Sequence, residues 1–166
     1  MTDKFSTWLW FDGNAEEAAK LYTSLFPDSR IVRVDRAASD TPGNKEGDIL
    51  TVEFELGGRT FAGLNGGPQF QFSEAISIQV LCDDQAEVDR YWDALTADGG
   101  EESMCGWLKD KYGLSWQIVP KVLNELLDTG DADAARRTME AMLKMQKLDV
   151  ATLQAAHDGA PVGAAS

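Results

Sequence analysis

The sequence predicts an α+β fold built from two copies of a strand-helix-strand-strand-strand unit and closed by helices. Three observations carry this. Residues 5–11 are aromatic and β-prone, stop at Asp12-Gly13-Asn14, and pass into AEEAAKLYTSLF, whose apolar residues recur at helical spacing. The same programme restarts near residue 75, where Asp83-Asp84-Gln85-Ala86-Glu87 repeats Asp12-Gly13-Asn14-Ala15-Glu16 at a constant offset. After Pro120 the alternating patterns give way to helical ones.

In the first copy, Ala18, Leu21, Tyr22 and Leu25 form the apolar stripe of the helix, Asn14 is its expected N-cap, Glu16 and Glu17 suit its first turn, and Pro27-Asp28 ends it. Residues 29–36 alternate as a strand, and 37–48 compose a loop that is able to cover a pocket. Gly57-Gly58 between residues 49–56 and 59–64 marks a hairpin with a two-residue turn. Asn65-Gly66-Gly67-Pro68 then interrupts the chain.

In the second copy, residues 75–82 read as a strand and 86–100 as a helix with Val88, Tyr91, Trp92 and Leu95 on one face. The stretch GGEESMCGWLKDKYGLSWQIVP follows as a tryptophan-bearing hairpin. Its turn is at Tyr112-Gly113, and Leu114, Trp116 and Ile118 alternate with Ser115, Gln117 and Val119. Residues 121–130 form a short helix. DADAARRTMEAMLKMQKL forms a longer one with the stripe Ala135, Met139, Met142, Leu143 and Leu148, and 149–157 a third; the tail 159–166 is expected to fray. One domain over 1–166 is expected, with module one at 5–67, module two at 74–120 and a helical extension at 121–158.

A formal net charge of −13 repels phosphate backbones and anionic headgroups, which argues against nucleic acid and membranes as partners. Cys82 and Cys105 match no metal or redox spacing, and no secretory leader or membrane span is legible, so a reduced, cytoplasmic location is expected.

The polar residues expected to face the cupped sheets are Asn65, Ser77, Gln79 and Gln117, with Trp8, Trp10, Phe61, Phe70, Phe72, Trp107 and Trp116 as apolar walls. Amides and a hydroxyl orient a ligand by hydrogen bonding, which describes a binding site for a small, partly aromatic molecule. Two residues are candidates for catalysis. Cys105 beside Lys109 is a candidate nucleophile without a histidine base, the alternative being an inert packed cysteine, and Asp110 between Lys109 and Lys111 is a candidate general base, the alternative being a solvated turn charge. Glu74 and Asp12 are further acid/base candidates.

LWFDGNAEEA, LNGGPQFQFSEAIS and CGWLKDKYGLSWQIVP resemble the PhnB-like, glyoxalase-related family of the vicinal oxygen chelate superfamily, many of whose members carry the name 3-demethylubiquinone-9 3-methyltransferase. The resemblance implies duplicated βαβββ modules, a pocket within each cupped sheet, and a homodimer. Metal-dependent members of the superfamily use His and Glu side chains at positions that fall near Trp8, Ala62, Ser77 and Gln117. None of these is a histidine or a carboxylate, so neither metal nor cofactor is assigned. The methyltransferase name implies a Gly-rich strand-to-helix turn, and Gly66-Gly67 leads into PQFQF, which is no helix start. The expectation is a small-molecule-binding protein with an aromatic, metal-free pocket. The alternatives are a metal-dependent lyase, isomerase or dioxygenase, whose ligands would be sought among Glu53, Glu74, Asp110 and His157, and an enzyme using Cys105 or an acid/base pair.

Overall fold

The computed structural model describes residues 4–160, so residues 161–166 of the expected frayed tail lie outside the described residues. The chain divides into two compact units, one ending at Phe72 and the other beginning at Ser73.

The first unit runs β1 (Thr7–Phe11), α1 (Ala15–Leu25), β2 (Arg30–Arg36), β3 (Ile49–Leu56) and β4 (Arg59–Asn65). Its sheet has the order β1-β4-β3-β2, with β1 parallel to β4 and the other pairs antiparallel. Gly57 and Gly58 both have positive φ, 53° and 79°, as a tight turn of this hairpin requires. The helix packs on one face of the sheet. Its fully covered residues are Ala15, Ala18, Ala19 and Tyr22, whereas Leu21 and Leu25 of the expected stripe stay half-exposed. The reason is closeness. At Gly63 of β4 a Cβ would stand 3.0 Å from the Ala15 Cβ, so the first turn of the helix lies too close to the strand for a larger side chain there.

The second unit repeats this order with β5 (Ser77–Cys82), α2 (Gln85–Thr96), β6 (Glu101–Glu102), β7 (Trp107–Lys109) and β8 (Ser115–Pro120). Its sheet is β5-β8-β7-β6, again with the outer parallel pair, and Val88, Tyr91, Trp92 and Leu95 of α2 are buried as expected. After it come α3 (Lys121–Leu127), α4 (Ala132–Met142) and α5 (Val150–His157). Asp84, Asp131 and Asp149 each cap a helix through a side-chain oxygen.

The predicted stripe of α4 is met in part, since Met142 packs on the buried cluster that holds Leu148. Ala134 and Thr138 are covered while Met139 and Leu143 are exposed, and Leu148 lies beyond the helix, buried against Val119, Leu123 and Leu153. Thr138 tolerates burial because its hydroxyl donates to the Ala134 carbonyl at 3.0 Å. No helix of the described residues is long and apolar enough to cross a membrane.

Candidate functional site: the sheet faces away from α1 and α2

Alternation along the strands of the first unit sends Leu9, Phe11, Val52, Phe54, Phe61 and Asn65 toward α1 and leaves the other set on the opposite face. That opposite face carries a cleft of about 400 Å³, lined by Phe5, Ser6, Trp8, Arg33, Asp35, Thr51, Glu53, Glu55, Thr60 and Ala62. Trp8 is 59 % exposed, and its indole N–H donates to the Ser6 hydroxyl at 3.1 Å. None of the lining residues comes from the 37–48 loop, which instead folds on itself through a Lys45–Asp40 ion pair and donates from the Asn44 amide to the Asn65 carbonyl.

The floor of this cleft is charged. Arg30 donates to Glu55 at 2.9 Å, and Arg33 reaches Asp35 at 2.9 Å and Glu53 at 3.8 Å. Thr51 also donates to Asp35. A bulge around Val32 brings this about. In a regular strand Arg30 and Arg33 would face opposite sides, but the register shift between Ile31 and Arg33 pairs Arg30 with Glu55 and Arg33 with Glu53. The alternating charges of RVDR and TVEFE held the signal for this floor, which the search for aromatic walls passed over.

On the second sheet, Ser77 and Gln79 of β5, Gln117 of β8 and Trp107 of β7 come together on the face away from α2. The Gln117 amide donates to the Ser77 hydroxyl at 2.8 Å, the Gln79 amide approaches the Gln117 oxygen at 3.4 Å, and Trp107 is in register with Gln117. The next register row is Ser77, Ser115 and Lys109. Ser115 is buried with its hydroxyl unpaired, and Lys109 pairs with Glu74. That pair holds the Glu74 carboxyl below its ordinary range and the Lys109 ammonium above its own.

Other expected residues belong to the framework. Trp116 is fully buried on the helix-facing side and donates to Asp110, so it lines no open face. Asp110 is 2 % exposed and is not a solvated turn charge. Its Oδ1 accepts from the Tyr112 and Leu114 backbone N–H groups at 2.9 and 3.1 Å and its Oδ2 from Trp116 at 2.9 Å, which commits the carboxylate to the turn rather than to proton transfer. Asn65 is 3 % exposed, accepting from the Ala15 N–H at 2.9 Å and donating to the Ile49 carbonyl at 2.9 Å. It caps α1 in place of Asn14, whose side chain makes no cap bond. Trp10 lies edge-on to Phe70 and donates to the Gly67 carbonyl at 2.8 Å, bracing the chain after β4. Phe61 stacks on Phe54 in the core, and Phe72 meets Phe11 edge-on.

Cys105 takes a left-handed φ of 60° because its N–H and that of Gly106 bond to the carbonyls of Met145 and Gln146, and its expected activator Lys109 is engaged by Glu74. His157 is half-buried, with Nδ1 3.0 Å from the Asp158 carboxylate.

The positions at which a chelate-type metal is implied do not fit one. Trp8 and Ala62 are register neighbours without a ligand atom, and the Ser77 hydroxyl and the Gln117 amide nitrogen are bonded to one another. Among the described residues no three His, Cys, Asp or Glu side chains are grouped to hold an ion. The methyl-donor cradle has no counterpart at Gly66-Gly67 either, since no helix follows before β5. Those glycines serve Trp10: a Cβ on Gly66 would stand 2.2 Å from the indole ring.

Two modules of the order 1-4-3-2, each with a helix on one face, make up a duplicated α+β fold of the glyoxalase-like kind. Residues 3–119 match the family described as 3-demethylubiquinone-9 3-methyltransferase, and the chain belongs to that PhnB-like family. The PhnB protein of Bacillus cereus, of the same description, is 37% identical over 71% of this chain and 99% of its own, with a TM-score of 0.64. Fold alone is shared with the fosfomycin resistance protein FosX of Mesorhizobium loti (16% identity, 78% of this chain and 99% of that one, TM-score 0.54). The same holds for protein PA1353 of Pseudomonas aeruginosa (20% identity, 72% and 98%, TM-score 0.54). No curated protein matches.

Proposed function

We propose that the protein binds a small organic molecule without a metal ion, using the sheet faces turned away from α1 and α2. The observation behind this is the cleft of about 400 Å³ on the first sheet, where a largely exposed tryptophan stands over a floor of charged and hydroxyl side chains. A volume of this size suits a small ligand, and the mixed lining supplies one apolar wall and several orienting groups. Ser77, Gln79, Gln117 and Trp107 offer a second, neutral set of donors and acceptors on the other sheet.

The test is a fragment screen by nuclear magnetic resonance on protein dialysed against chelator, reading the Trp8 indole N–H, which Trp8→Phe identifies. Fragments that shift this resonance and lose affinity at least about fivefold in Trp8→Ala support the reading. A library without effect on Trp8, Trp107 or Gln117 overturns it. Elemental analysis of protein purified without chelator, and again after incubation with Ni, Zn, Mn or Fe(II), tests the metal-free part. About one tightly held ion per subunit would reverse it. A second copy of the chain is the proposed protein partner, supported by the exposed Met139 and Leu143 on α4. Light scattering is expected to give twice the chain mass, and Leu143→Glu to lower it.

A further inference from the structure

Among the described residues, the cleft of the first sheet contains one carboxylate that its neighbours leave without a hydrogen-bonded cation. Glu55 is held by Arg30 and Asp35 by Arg33, each at 2.9 Å, whereas Glu53 reaches only the Arg33 Nη2 at 3.8 Å, beyond hydrogen-bond length. Glu53 is 38 % exposed at the side chain, so its charge stands open to the cleft.

The register gives that charge a setting. Trp8, Ala62, Glu53 and Arg33 lie side by side across β1, β4, β3 and β2. Neighbouring strands are separated by about 4.8 Å, so the backbones at Trp8 and Glu53 stand about 10 Å apart with only the Ala62 methyl between them. The result is a trough as wide as an aromatic ring, with an indole on one side and a carboxylate on the other. An indole face attracts a cation through its quadrupole, and a carboxylate without a hydrogen-bonded partner attracts the same cation through its charge. The two walls therefore favour one kind of ligand. The net charge of −13 adds a long-range attraction of the same sign.

We infer that the trough between Trp8 and Glu53 selects a flat organic cation, such as an amidinium, guanidinium or protonated heteroaromatic amine, that lies over Ala62 with its charge toward Glu53. This rests on the small-molecule reading given above and narrows its ligand class.

Three ring compounds of one shape and different charge test it: benzamidinium, neutral benzamide and anionic benzoate, each titrated while following the Trp8 indole resonance. Benzamidinium is expected to bind about tenfold more tightly than benzamide, from the combined ion-pair and cation–π gain, and benzoate more weakly than either. Glu53→Gln is expected to abolish the preference for benzamidinium over benzamide while leaving benzamide binding in place, and its half-exposed position makes the variant safe for folding. Ala62→Leu, which fills the trough, is expected to weaken both. Equal binding of benzamidinium and benzamide, a preference for benzoate, or an unchanged preference in Glu53→Gln would overturn the cation assignment while leaving the small-molecule site standing. Failure of all three compounds to move Trp8 would likewise overturn the cation assignment, and the fragment screen would then decide the small-molecule reading.

Discussion

Asp110 holds the turn that delivers Trp116 to the core of the second unit, and its two oxygens divide the work. Oδ1 serves two backbone N–H groups and Oδ2 the indole. Asp110→Asn can preserve the first set but turns an amide N–H toward the indole N–H, so a loss of about 1–2 kcal/mol is expected from the urea midpoint, against about 3 kcal/mol for Asp110→Ala. In a Trp116→Phe background the Asn variant should cost less, because the unmatched donor pair is gone. Cys82 gives the opposite case of an inert group. Burial pushes its thiol up to about 12, and the nearby Glu87, Asp83 and Asp84 carboxylates add to the shift. The unfolded thiol ionises near 9, so the stability linked to this group is full below pH 9 and is lost as pH rises from about 9 toward 12. Stability above pH 9 is expected to fall more steeply in the wild type than in Cys82→Ala. Folded Cys82 should also resist iodoacetamide at pH 8.5, and alkylation as fast as in urea would contradict its burial.

The elements are held by contacts that reach across the sequence. The first turn of α1 is capped from β4, since Ala15 begins the helix at the point where the parallel pairing of Phe11 with Asn65 sets the amide beneath it. Asn65→Ala is expected to cost about 1–2 kcal/mol by removing the cap, with the Ile49 carbonyl left short of a donor, as read by thermal or urea unfolding. Asn14→Ala should cost much less, because Asn14 makes no cap bond. Gly66→Ala would drive a methyl into the Trp10 ring and is expected to destabilise by about 1–3 kcal/mol, with a changed tryptophan emission as the brace with Gly67 and Phe70 breaks. Strand β2 owes its charged face to an irregularity: the bulge at Val32 sets two arginines on one side. Periodicity reads only regular strands, so Arg30 and Arg33 were legible as polar residues and not as partners of Glu55 and Glu53.

At the scale of the whole molecule the two units share an order but differ in what surrounds their sheets. Strands β2 and β3 have 7 and 8 residues, whereas β6 and β7 have 2 and 3. The helical extension stands in for the missing strand length: Cys105 and Gly106 bond to the turn after α4, and Leu148 packs with Val119, Leu123 and Leu153. Leu148→Ala is expected to cost about 2–5 kcal/mol and to loosen the Cys105 turn, which faster hydrogen exchange at Gly106 would report. By itself the sequence determined the repeated unit, the hairpin at Gly57-Gly58, the buried face of α2 and the polar set Ser77, Gln79 and Gln117, because turn chemistry and strand or helix periodicity are local properties. Only the tertiary structure decided that Asn65, Asp110 and Trp116 are framework, and that Trp8 stands across Ala62 from Glu53. Each of those outcomes depends on which strand lies beside which and in what register, and pairings between residues some fifty positions apart leave no trace in the local pattern of either one.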